Sequence, residues 1–63
     1  MGNRLKAFRI KQHMSQEALA KASGITRFTI SAIENDPNYN PTTKTLERLA
    51  TALGSTVDQI FFG

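Results

Sequence analysis

Apolar positions along the chain come in short runs with helical spacing, and most runs are opened by a hydroxyl side chain or closed by a glycine. Leu5 and Phe8 share one helical face with Arg9 on its flank, and Met14 closes this first element. Ser15 is suited to cap a second helix, in which Leu19 with Ala18 and Ala22 gives an apolar side of small residues. Gly24 ends that helix, because glycine enters the left-handed conformation of a helix stop without a Cβ clash. Thr26 caps a third helix whose inner face carries Ile30 and Ile33. Asn35 to Pro41, NDPNYNP, holds two prolines and three asparagines and reads as a loop. Thr42 caps a fourth helix, in which Leu46, Leu49, Ala50 and Leu53 repeat at i, i+3, i+4 and i+7 before Gly54 stops it. Thr56 to Gln59 has the spacing of a capping box and opens a last short helix with Val57, Ile60 and Phe61 on one side. No strand alternation or internal repeat interrupts this pattern. The pattern predicts an all-α fold, a compact bundle of five short helices forming one domain over residues 1–63, with helices 2 and 3 meeting at a tight turn.

Composition narrows what such a bundle can do. A domain of 63 residues buries only about 60% of the surface its unfolded chain exposes, which leaves no room for a separate substrate domain. Without cysteine and with one histidine, no metal cluster, thiol nucleophile or disulfide framework can be assembled, so neither a metal nor a cofactor is expected. Glu34 has no second acid, base or nucleophile at a useful spacing, which excludes an enzyme. His13 falls where the first helix ends, a place that favours a cation. No signal-peptide core follows the basic N-terminus, and Lys6 stands where a myristoylation motif starting at Met1-Gly2 needs Ser or Thr. The run Ile60 to Phe62 is far too short to span a membrane, so a cytoplasmic protein with no membrane partner is expected. The net charge is +3, and Arg4, Lys6, Arg9 and Lys11 place half of the eight basic residues in the first twelve positions. Such a cluster suits an anionic partner such as a phosphate backbone, or it is a solvated face that keeps the domain dispersed.

The turn at Gly24 gives the charge a context. Two short helices meeting at a glycine form a helix-turn-helix when the second crosses the first steeply and keeps its outer face free. At about 100° per residue, Ile30 and Ile33 point inward while Phe28, Ser31, Ala32 and Asn35 point outward, with Arg27 at the margin. That outward face carries no carboxylate. It suits a major groove, where Arg reaches guanine O6 and N7, Asn and Ser bond base edges or phosphates, and Phe or Ala meets a thymine methyl.

In these residues Ser15 to Asn35 resembles the helix-turn-helix of the lambda-repressor-like, Cro-type (XRE) family. The likeness rests on Gln16, Leu19 and Ala20 in the first helix of the motif, Gly24 at the turn, Ile25, Ile30 and Ile33 as core positions, and the ending Ile33-Glu34-Asn35. TLERLATALG followed by VDQIF extends it to Phe61. The resemblance implies that Gln16 contacts a phosphate or base edge and that Thr26, Arg27, Phe28, Ser31 and Ala32 form the recognition surface. Asn35 would anchor the DNA backbone, with Lys6, Tyr39 and Lys44 completing the residues expected at DNA. It also implies a structural ion pair between Arg9 and Glu34. Three positions depart from the family pattern: Ser23 replaces an apolar residue, Ala18 replaces a Glu that would complete a capping box with Ser15, and Asp36 replaces the glycine after Asn35 in a loop one residue longer than usual.

The expected function is therefore a sequence-specific DNA-binding regulator, a repressor bound as a homodimer to a palindromic stretch of double-stranded DNA. The apolar residues Ile60, Phe61 and Phe62 are the expected dimer interface, with packing into the monomer's own core as the alternative for Ile60 and Phe61. Two further readings stay open, an antitoxin that also binds a toxin chain and a protein-interaction module that uses the same fold.

Overall fold

Hydroxyl oxygens start four of the helices, three of them α-helices. In the computed structural model, which describes residues 3–62, Ser15 Oγ accepts the amide of Ala18 at 3.0 Å, Thr26 Oγ1 that of Thr29 at 3.2 Å, and Thr42 Oγ1 that of Thr45 at 3.2 Å. These bonds satisfy amides that have no partner within the helix and so fix where each helix begins. They open α2 (Gln16–Ser23), α3 (Arg27–Asn35) and α4 (Thr43–Ala52). A first helix, α1 (Leu5–Lys11), precedes them, and a π-helical segment, α5 (Asp58–Phe62), follows. The capping box before α5 is reciprocal, since the Gln59 amide donates to Thr56 Oγ1 at 3.1 Å and the Thr56 amide to Gln59 Oε1 at 3.0 Å. Met1 and Gly2 lie outside the described residues.

Helix α1 has no side-chain cap from Arg4 and is held at its start by one local bond and two long-range ones. Asn3 Oδ1 accepts the Leu5 amide at 2.9 Å while its Nδ2 donates to the Ile33 carbonyl at 3.1 Å, and the Arg4 amide donates to the Ile60 carbonyl at 2.9 Å. The helix ends at Lys11 rather than running on to Met14. His13 takes a left-handed backbone, φ 58°, and the Met14 amide returns to the Arg9 carbonyl at 3.1 Å, which closes the helix early.

The core joins Leu5, Leu19, Ile30, Ile33, Leu46, Leu49, Ala50, Leu53, Ile60 and Phe61, all buried. Helix α2 packs against both α3 and α4, and α1 packs against α3 and α5. Two sequence expectations change here. Helix α2 buries Leu19 and packs the half-buried Ala20 against the core, with Ala18 and Ser23 also half-buried, whereas Ala22 is exposed. Its buried stripe is centred between Leu19 and Ala20, about 100° apart, so Ala22 falls beyond the stripe on the other side of Leu19. Ser23 is tolerated among apolar neighbours because its hydroxyl donates to the Leu19 carbonyl at 2.7 Å and accepts the Ile25 amide at 3.2 Å. The second change concerns the tail. Ile60 and Phe61, adjacent in this π turn, are both buried in the monomer's core, the alternative that the sequence kept open for them beside the dimer interface. Phe62 alone of that trio is exposed, at 68%.

Gly24 has φ 75°, and a Cβ built there would meet only the flexible end of Arg48 at an ordinary 3.6 Å. The cost of a side chain at this position is therefore conformational. Gly24→Ala should destabilise the domain by about 1 kcal/mol in chemical denaturation, and an unchanged midpoint would show the turn to be relaxed in another way.

Candidate nucleic-acid interface

Helix α3 divides sharply between its two sides. Ile30 and Ile33 are in the core, while Phe28 is 79% exposed and Arg27 and Asn35 are also exposed. Ser31 and Ala32 are half-buried on the outward side. Phe28 is thus one of three large apolar side chains left in water among the described residues, with Ile10 and Phe62, and the one that lies on α3. Asn35 Nδ2 donates to Ser31 Oγ at 3.3 Å, which lines the two amphoteric groups along one turn. Thr26 is at the entrance of this face, but its oxygen is engaged with the Thr29 amide and hydroxyl, the latter at 3.0 Å.

Behind the exposed face lies a polar network. Arg9 Nε donates to Glu34 Oε2 at 2.7 Å and Nη2 to Oε1 at 3.0 Å, a bidentate pair, and Nη1 donates to the Met14 carbonyl at 2.7 Å. The side chains are 10% and 1% exposed. The bond to Glu34 raises the Arg9 pKa above its ordinary value, with burial opposing and the carboxylate charge assisting, so the guanidinium is a permanent charge. The pair ties α1 to the C-terminal turn of α3 and thereby fixes how the outward face is presented. Arg9 is consequently withdrawn from the basic surface of α1, where Arg4, Lys6 and Lys11 remain exposed. Lys44 is exposed in the first turn of α4.

Gln16 is placed differently from a residue standing free for DNA. It is half-buried, its Nε2 donates to Glu34 Oε1 at 3.1 Å, and its Oε1 accepts Arg27 Nε at 3.4 Å. Both ends of the amide thus join the buried pair to the first residue of α3. Sequence reasoning missed Glu17, whose Oε1 accepts Arg27 Nη1 at 3.2 Å. The opposite charges at positions 17 and 27 were visible, but the crossing of α2 over α3 that brings them together was not. Tyr39 is half-buried and packs against the core, with part of the side chain left exposed. In the preceding turn Asp36 Oδ1 accepts the Asn38 amide at 2.9 Å, so the carboxylate that replaces glycine serves to turn the chain.

Among the described residues no three His, Cys, Asp or Glu side chains group as a metal site, and no helix is long and apolar enough to cross a membrane. A family model described as helix-turn-helix matches residues 5–60. An HTH-type transcriptional regulator of Archaeoglobus fulgidus is 39% identical over 97% of this chain and 84% of its own length, and one of Methanocaldococcus jannaschii is 39% identical over 97% and 91%. The immunity repressor protein of Bacillus phage phi105 is 40% identical over 95% of this chain, which covers 41% of that repressor. No solved structure gives a significant match.

Proposed function

This chain belongs to the lambda-repressor-like, XRE-type helix-turn-helix family of DNA-binding regulators and is not an enzyme, and from that premise we propose that it is a sequence-specific repressor. It acts as a two-fold dimer on a palindromic operator, blocking transcription by occupying the site. The observation that carries this reading is the outward face of α3, with Arg27 and Phe28 exposed beside Ser31, Ala32 and Asn35 and no carboxylate among them. In the groove Arg27 reads guanine, Phe28 and Ala32 touch thymine methyls, and Ser31 and Asn35 bond base edges or phosphate. Lys6 and Lys44 meet phosphate. A single module of this size buries roughly 600–1,000 Å² of protein surface on DNA, too little for tight binding alone, which favours a pair of modules. Their recognition helices would lie about 34–36 Å apart. With Ile60 and Phe61 buried in the monomer, Phe62 is the apolar side chain that the tail offers to a second copy.

Selection of bound sites from a randomised duplex pool at fixed salt tests the reading, with enrichment of a palindrome as the expected result. Absence of enrichment together with salt-independent binding would overturn it in favour of a protein-interaction role. Lys6→Ala should weaken binding to every sequence alike and reduce the slope of log affinity against log salt by about 1. A loss confined to the selected site would instead place Lys6 at a base edge.

A further inference from the structure

The Arg27 guanidinium is held from two sides by the first turn of α2. Gln16 Oε1 accepts Nε at 3.4 Å and Glu17 Oε1 accepts Nη1 at 3.2 Å, while Nη2 enters neither bond. The Arg27 and Glu17 side chains are 63% and 70% exposed. Ion pairs this open to solvent add little to folding stability, so stability does not account for this one. Its cost to binding is plain, because it sets a carboxylate at the rim of a surface that faces a polyanion in the function proposed above.

A long, flexible arginine gains from orientation only when its target is directional. Bidentate bonding to guanine O6 and N7 requires the planar fork to arrive in one orientation, whereas a phosphate accepts an arginine from many directions. Holding the side chain before binding removes part of the ordering cost at the base edge. Resting on the proposed DNA-binding function, we infer that Glu17 is a specificity-determining positioning residue. Its carboxylate stays on Nη1 in the complex and aims the remaining guanidinium donors at guanine. Its charge repels the phosphates of matched and unmatched duplexes equally, so that repulsion cancels from the ratio of the two affinities, and only the orienting effect remains in it.

The test is a double-mutant cycle on the full chain, with affinity for the selected and a scrambled duplex measured for wild type, Glu17→Gln, Arg27→Ala and the double variant. Glu17→Gln should lower the ratio of selected to scrambled affinity about three- to tenfold, whatever its effect on overall affinity. In the Arg27→Ala background the same change should leave the ratio where it is. An unchanged ratio in Glu17→Gln, or an equal fall without Arg27, would overturn the inference while leaving the DNA-binding function intact. A wild type that shows no preference between the duplexes would overturn that function and the inference with it. Circular dichroism of Glu17→Gln should match wild type, since the side chain is exposed.

Discussion

Glu34→Ala should destabilise the domain by about 3 kcal/mol, because it leaves the Arg9 guanidinium desolvated and without its counter-charge. Arg9 is bonded through both Nε and Nη2 to a carboxylate that is almost fully buried, so water cannot replace the lost partner without opening the junction of α1 and α3. Gln16 Nε2 loses its acceptor in the same variant. For a chain of this size the thermal midpoint should fall by at least about 12 °C. The double variant Arg9→Met/Glu34→Leu should regain at least about 1 kcal/mol of the loss, since two apolar side chains remove the stranded charge. It should not regain all of it, because the Met14 carbonyl and the Gln16 amide both lose partners. A Glu34→Ala variant within about 0.5 kcal/mol of wild type would show that the pair adds nothing to the fold.

Arg27→Ala should cost about 1–3 kcal/mol on the selected duplex and little on a scrambled one, with discrimination relaxed at one guanine. Phe28→Ala should relax discrimination at a thymine instead, because a ring offers its methyl only apolar contact. Neither change touches the core, as both side chains are exposed, so helicity and thermal midpoint should hold and the effects can be read as recognition. Affinities on both duplexes at two salt concentrations check the prediction. Equal losses on both would mean that α3 binds without reading.

What the sequence made legible was local. The oxygens of Ser15, Thr26, Thr42 and Thr56 act on amides three residues ahead, and Ile30 and Ile33 repeat within one helix, so each of these features is contained in a short window. The misreadings involve choices that a window does not contain. Which side of α2 is buried depends on where α3 and α4 lie, and polarity ranked Ala22 above Ser23 until Ser23 found the Leu19 carbonyl. Ile60 and Phe61 share one side of the last helix in the sequence pattern, but whether that side meets the monomer's core or a second copy depends on where α5 docks, and it docks with both buried. The candidate site divides in the same way. The outward set of α3 follows from helical angle, but the contacts of Gln16 and Glu17 with Arg27 join residues 11 and 10 positions apart across a turn.

The bond between the Arg4 amide and the Ile60 carbonyl makes one end of the chain a reporter on the other. Amides at the start of a helix have no partner within it and ordinarily exchange their hydrogen with solvent almost freely. Arg4 is an exception, because its proton is released only when α5 leaves α1. In native-state hydrogen exchange the Arg4 amide should therefore be protected well above that of Lys6, and its opening free energy should equal that of undocking α5. Exchange of Arg4 as fast as in an unstructured peptide would mean that α5 separates from α1 without the rest of the domain unfolding.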